Sequence, residues 1–241
     1  MYEFDIVIPL GPNDITVIEQ QIKYTRVNVI GYRNIYLVSY DASLKFDGCI
    51  TIDENIFPFN LKTVADEHAP QKRNGWYLQQ LLKLYAGIVI PDIMDKYLVI
   101  DSDTFFLKPT SFIQDNIPLY NYGDEFHMPY FKHMLRLHPS FGKMIEQSGI
   151  CHHMFIETKY VKEIILLVEE FHNKKFYNVF LSEVSTVDIP HSGASEYELY
   201  FNYILAKHPN SISIRPLKWT NVNTLTNFGD NDYVSYHHYC R

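Results

Sequence analysis

Two carboxylates separated by one serine, Asp101 and Asp103, close an apolar run in the segment YLVIDSDTFFLKP, residues 97–109. The flanking apolar residues mark a buried strand that ends on the acids. Side chains two apart on an extended chain point to one face. Two like charges would therefore meet there and raise each other's pKa unless a cation sits between them. A hard divalent ion, Mn²⁺ or Mg²⁺, removes that cost and keeps positions open for phosphate oxygens. A strand-end turn also uses Asp-x-Asp to accept backbone N–H groups. The apolar residues on both sides favour the metal reading.

Other residues have the types for a nucleotide or saccharide site. Asp41 closes the run YLVSYD and has two readings, an acceptor for a base N–H or ribose hydroxyl and a simple turn cap. Arg73, Gln79 and Lys83 lie with Asn74, Trp76 and Gln80 at the start of a helical stretch. A cation beside a diphosphate supplies charge-assisted hydrogen bonds, and Lys83 lies one helical turn past Gln79. Trp76 reads as core, and a surface position is the rival reading of Lys83. In SGICHHMFI, residues 148–156, Gly149 permits a close backbone approach. His152 and His153 are adjacent, so in a strand they face opposite sides and at most one enters a pocket. Ser195 and Glu198 have the spacing of a capping box. Glu196 falls in the first turn of the same helix, where the terminus favours negative charge and would depress its pKa.

The elements that must position these residues alternate in type. FDIVIPLG predicts a buried first strand over Phe4 to Pro9, stopped at Gly11-Pro12. Residues 13–29 predict a helix capped by Asn13 or Asp14, NIYLVSYD a second strand and GCITIDE a short third. Residues 55–73 read as irregular. A helix follows from about Trp76 to Ala86, then the strand DKYLVIDSD, with TFFLK continuing the sheet. Helices are expected in YFKHMLRLHPSFGKM, KYVKEIILLVEEFHNKKFYNVFLSEV and ASEYELYFNYILAKHP, and a late strand in SISIRPLKWT. This order predicts an α/β fold with a mostly parallel central sheet flanked by helices. With no repeat or clean linker, residues 1–241 read as one domain.

Composition narrows the function. Apolar residues make up 46%, enough for a core. A formal charge of −7 without a basic stripe argues against a nucleic-acid partner. Cys49, Cys151 and Cys240 are odd in number and unpaired in spacing, which fits a reducing compartment. The start MYEFDIVIPLG lacks a signal-peptide pattern, and no apolar run reaches the ~20 residues of a spanning helix. The expectation is a soluble, cytoplasmic protein of undetermined oligomeric state.

Taken together, YLVIDSDTFFLKP, FDIVIPLG, RNGWYLQQLLKLYA and HSGASEYELYFNYI resemble glycosyltransferases with the A-type fold, over nearly the whole chain. The resembled branch includes proteins of bacteria and sugar-transferase domains of large algal viruses. The resemblance implies a metal-dependent enzyme that moves a sugar from a nucleotide-sugar, a UDP-sugar by default, to a hydroxyl of a glycan, glycoprotein or glycolipid. It divides the chain into a nucleotide-binding half, 1–110, and an acceptor-binding half, 111–241. Asp103 becomes the firmer metal ligand. Asp101 reaches the ribose or meets the metal through water, with Ser102 between them. Pro9, Leu10 and Gly11 touch base and ribose. The segment holding His152 and His153, and the turn at Ser195, line the sugar and acceptor site. Transfer with inversion needs a carboxylate base at the acceptor hydroxyl. Glu196 is the expected base, with Asp188 and Glu198 behind it. His237, or His238, is a candidate late metal ligand of the kind found in relatives that act with retention. Two rivals remain at this stage, a carbohydrate-binding scaffold with a decayed transferase fold and a sugar-nucleotide nucleotidyltransferase.

Overall fold

The run Phe4–Leu10 is buried at every position, which fits only a strand covered on both faces. In the computed structural model, which describes residues 3–226 and 228–241, this strand lies at the centre of a five-stranded sheet. The first half of the chain contains β1 (Phe4–Leu10), α1 (Ile18–Asn28), β2 (Val29–Ile30), β3 (Tyr32–Ser39), β4 (Cys49–Asp53), α2 (Leu61–His68), α3 (Asn74–Val89), β5 (Lys96–Ile100), β6 (Thr104–Phe106) and β7 (Thr110–Ser111). The second contains β8 (Ile113–Gln114), β9 (Ile117–Tyr120), α4 (Met128–Leu137), β10 (His153–Glu157), α5 (Thr158–His172), α6 (Phe176–Ser182), α7 (Glu196–Lys207), β11 (Ser213–Ile214), β12 (Trp219–Asn221) and β13 (Tyr233–Ser235).

The sheet order is β10-β5-β1-β3-β4. β1 pairs in parallel with β3 on one side and β5 on the other, and only β10 runs antiparallel. The chain moves outward from β1 through β3 to β4, then returns to β5 on the opposite side of β1. That reversal makes a crevice beyond the carboxyl ends of β1 and β5, the place where open α/β sheets bind ligands. The α/β architecture with a mostly parallel central sheet agrees with the sequence reading. One apolar core runs from Phe4 to Tyr233.

Several local expectations need correcting. Residues 61–68 form a helix, started by a capping box in which Asn60 and Thr63 bond each other's backbone N–H. Thr at the third helical position took the part usually played by Glu or Gln. TFFLK does not continue the central sheet. The chain turns at Asp101, where Thr104 N–H donates to the Asp101 carbonyl, and β6 joins β13 and β12 in a separate sheet. The expected late strand is two short ones, β11 and β12, on different sheets. Helix α3 extends beyond Trp76–Ala86 to Asn74–Val89 and carries Gly87 against Tyr97 and Thr158, where any Cβ would clash. Packing there outweighs the weak helix propensity of glycine.

Helix α7 is buried at every position from Glu196 to Ile204. A helix without an exposed face belongs inside the protein, and its first turn is delivered to the crevice. Gly149 makes this possible: a Cβ there would sit 2.5 Å from Phe201 Cβ and 2.8 Å from the Tyr197 carbonyl.

Candidate active site

The turn after β5 separates the two aspartates. Asp101 and Asp103 do not share a face as an extended chain would have them do, and each has its own partners. Asp101 Oδ1 lies 2.6 Å from Lys83 Nζ and accepts from the Tyr197 hydroxyl at 2.7 Å. Its Oδ2 faces His152 Nδ1 at 3.4 Å. Asp103 Oδ2 lies 3.0 Å from His237 Nδ1, and the Asp103 carbonyl accepts from Tyr236 N–H.

Lys83 is 3% exposed, so the surface reading fails. It bridges two acids from different elements, Asp101 after β5 and Glu196 at the start of α7: Nζ also donates to Glu196 Oε1 at 2.8 Å and lies over the Tyr197 ring at 4.4 Å. Burial works against its ammonium, but Asp101 and Glu196 hold its pKa up to about 12. Burial likewise opposes ionisation of Asp101, and Lys83 and His152 outweigh it and hold the carboxyl far below the usual range. Glu196 goes the other way. Burial pushes its pKa up, and the proximity of Asp101 adds to this against the pull of Lys83. The expected depression by the helix terminus is thus reversed, because desolvation of a buried carboxylate outweighs the dipole.

His237 carries its own balance. Burial disfavours the imidazolium, yet Asp103 raises its pKa above the ordinary value. The segment 236–241 that bears it is tied down by Arg241, whose guanidinium donates to Asp14 Oδ1 at 2.9 Å and to the Asn13 carbonyl at 3.0 Å. Asp14 also accepts from the Ser102 hydroxyl. The carboxylates Asp14, Asp101, Asp103 and Glu196, the histidines His152 and His237, and the cations Lys83 and Arg241 therefore gather around the ends of β1 and β5.

The remaining sequence candidates divide into neighbours of this cluster and residues with other duties. Pro9, Leu10 and Gly11 end β1 at the crevice, and a Cβ on Gly11 would meet nothing within 4 Å. Asp41, at the end of β3, spends its carboxylate on the N–H and hydroxyl of Ser43, a turn cap. Arg73 precedes α3 without a side-chain cap bond, donates to the Pro190 carbonyl at 3.3 Å and lies over the Trp76 ring. Gln79 is only half-buried, and it is Gln80 that meets the cluster by accepting from Glu196 N–H at 3.0 Å. The Nε2 of Gln80 is buried without a hydrogen-bond partner.

His152 has a left-handed backbone, φ 61°, and turns its ring to Asp101. His153 points into the core among Phe106, Phe112 and Tyr233, and burial drops its pKa to about 3. The two rings part because His152 precedes β10 in a left-handed conformation while His153 begins the strand. Ser195 caps α7 by accepting from Glu198 N–H. The reciprocal half of the capping box is missing. The Glu198 carboxylate instead binds Ser148 Oγ at 2.6 Å, Asn202 Nδ2 at 2.8 Å and Gly149 N–H at 3.3 Å. It is fully buried and satisfied, a structural tie. Asp188 sits beyond the helix α6 at the start of a 3₁₀ turn, with no side-chain cap bond. The sequence reading gave no role to Tyr197 or Arg241, and gave Asp14 only that of a cap on the first helix; α1 instead starts at Ile18 with Val17 at its N-cap, and the Asp14 carboxylate goes to Ser102 and Arg241. Tyr197 directly follows Glu196 and could have been suspected, whereas nothing in the sequence ties Asp14 to Arg241.

Among the described residues, no group of three or more His, Cys, Asp or Glu side chains is arranged to hold a metal ion. Lys83, Tyr197 and His152 meet the oxygens of Asp101 and leave it less acceptor capacity than Asp103. Asp103 and His237 are a carboxylate and an imidazole in contact. The carboxylate is a donor for a hard divalent ion such as Mn²⁺ or Mg²⁺, and the imidazole is a nitrogen donor beside it.

Comparison with known proteins adds the following. The sequence profile of a family of unknown function, DUF6492, matches residues 38–215. No curated protein matches the chain significantly. Among solved structures, the chain is similar to mouse xyloside xylosyltransferase 1 in its apo form, with 11% identity over 97% of each chain and a TM-score of 0.49. It is also similar to the galactosyltransferase LgtC in complex with donor and acceptor sugar analogues, with 11% identity over 96% of this chain and 86% of that one and a TM-score of 0.46. An active-site mutant of LgtC gives 12% identity over the same shares and a TM-score of 0.48.

Proposed function

We propose that this chain, which belongs to the family of unknown function DUF6492, is a glycosyltransferase that uses a nucleotide-sugar donor and a divalent ion. The observation that carries this reading is the place of the charged cluster. It lies beyond the carboxyl ends of β1 and β5, at the reversal of strand order where α/β sheets bind nucleotides. The resemblance of the acidic segment to A-type glycosyltransferases points the same way.

Asp103 and His237 would hold the ion together with diphosphate oxygens of the donor, and the ion would stabilise the charge on the departing nucleotide. The residues of the chain do the rest. Pro9, Leu10, Gly11 and the Asp14–Ser102 pair border the nucleotide side. Lys83 keeps Asp101 ionised and fixed, so that Asp101 presents an oriented acceptor toward the ribose or sugar hydroxyls. Residues 1–110 carry the nucleotide side and 111–241 most of the acceptor side, within one domain.

A base at the acceptor hydroxyl must be reachable and able to take a proton. Glu196 has the raised pKa that suits this task, and its pairing with Lys83 sets its orientation. It is the proposed base for transfer with inversion. Glu198, tied to three donors, and Asp188, outside the cluster, are weaker choices.

Titration calorimetry with UDP, with and without Mn²⁺, tests the reading. Binding should require the ion and should weaken by at least about ten-fold in Asp103→Asn, the loss of one ligand contact. GDP and dTDP run in parallel identify the base. Equal UDP binding with and without Mn²⁺, or in wild type and Asp103→Asn, would overturn the metal-dependent mechanism. Among the described residues, no helix is long and apolar enough to cross a membrane.

A further inference from the structure

One lip of the acidic cluster is lined by four aromatic rings in a row. Trp219 meets His152 edge-on with centroids 5.0 Å apart, His152 meets His237 at 4.8 Å, and His237 stacks on Tyr239 at 5.0 Å with planes 24° apart. The inner rings touch the carboxylates, His152 at Asp101 and His237 at Asp103. The outer rings face outward: Tyr239 is 71% exposed and Trp219 half-buried, backed by Tyr233 in a parallel stack at 5.6 Å.

An exposed tyrosine held flat on a site histidine has no evident structural use. Its removal uncovers no core, since Tyr239 belongs to neither apolar cluster. The backbone beneath it is fixed all the same. Arg241 ties the segment to Asp14 and Asn13, and Asp103 holds His237. A ring so presented is a platform.

We propose that the row Trp219–His152–His237–Tyr239 is the subsite for the acceptor saccharide, with a neutral pyranose ring lying on Tyr239 or Trp219 and its hydroxyls reaching the carboxylate of Asp101. The acceptor role rests on the glycosyl transfer proposed above. A pyranose has two chemically different aspects that match the two halves of this surface. Its axial C–H bonds form an apolar face that suits the negative face of an aromatic ring. Its hydroxyls are donors that suit the carboxylate of Asp101, which His152 of the same row faces. Anionic ligands without a metal would be repelled by the carboxylates of the cluster. Arg73 and Glu125 add further polar groups near the exposed end, since both act on the Tyr239 hydroxyl. That hydroxyl is raised by burial first, and then by the charges of Cys240, Asp103 and Glu125, against Arg73.

Saturation-transfer NMR reads this without any turnover. The probes are the methyl glycosides of glucose, galactose, mannose and xylose, with UDP titrated separately in the presence of Mn²⁺. At least one glycoside should receive saturation. Its half-saturation should rise about ten-fold in Tyr239→Ala and in Trp219→Ala, and stay near wild type in Tyr239→Phe, which keeps the ring. Thermal melting shows whether each variant is folded. Glycoside binding of this pattern in a protein that turns over no nucleotide-sugar would keep the saccharide platform and remove the transferase reading. No binding of any of the four glycosides overturns the platform. So does binding that survives both alanine substitutions, or a Tyr239→Ala variant that loses UDP and keeps the glycoside, which would make the ring a base-stacking residue.

Discussion

Strands β1 and β5 carry a buried acid centre at each end, and the two are built differently. At the amino end, Asp5 is fully buried and makes four hydrogen bonds. Arg33 donates from Nε at 3.1 Å and Nη2 at 2.7 Å, Asn34 N–H at 3.0 Å and Met94 N–H at 2.8 Å. One carboxylate meets one cation and two backbone donors, so nothing is left over for a ligand. At the carboxyl end, Asp14, Asp101, Asp103 and Glu196 face Lys83, Arg241 and two histidines. The permanent cations are fewer than the acids, and the balance is left to protons or to an incoming cation. A buried acid by itself does not mark a site. An acid centre with more carboxylates than permanent cations, at the end of the sheet where strands release their loops, is the candidate site.

The sharpest way to break this comparison is to remove Lys83. Lys83→Met leaves Asp101 and Glu196 buried without their shared cation, and loss of one partner of a buried pair costs about 3–5 kcal/mol. Urea denaturation should show that loss, and Glu196→Gln in the same chain should recover part of it, because the two sites couple. A single substitution without measurable cost would mean that the centre opens to water.

Asp5→Ala tests the closed end. It orphans the Asn34 and Met94 donors at about 1–3 kcal/mol, while Arg33, more than a third exposed, can turn to solvent. Stability should fall and metal-dependent UDP binding should remain. Lost binding in a folded variant would show that the two ends are linked.

The smallest expected effect is the titration of His237. Its pKa lies above the ordinary 6.5 because Asp103 outweighs burial. The ion pair then contributes its full stability below pH 6.5 and loses it as pH rises through the raised value. The imidazole proton signals in NMR should report a midpoint above 6.5 that falls in Asp103→Asn. A midpoint at or below 6.5 would remove the proton from the charge balance at the open end.

Much of this was legible in local pattern. The fully apolar FDIVIPL and YLVI runs identify covered strands, and the alternation of strand and helix gives the parallel sheet, because burial on two faces writes itself into consecutive residues. The acids at the end of β5 were legible for the same reason. Helix 61–68 was not, since its start depends on a threonine doing a glutamate's work.

The sequence alone determined that a buried strand runs up to Asp101, because its residues are apolar without interruption. It could not say that a lysine eighteen residues earlier would be buried between Asp101 and Glu196, or that His237 and Arg241 would return to Asp103 and Asp14 from the other end of the chain. Those pairings depend on which side of β1 the chain places β5 and on the antiparallel pairing of β13 with β6. Local propensity is blind to both, because the free energy that selects them comes from burying side chains that are far apart in sequence.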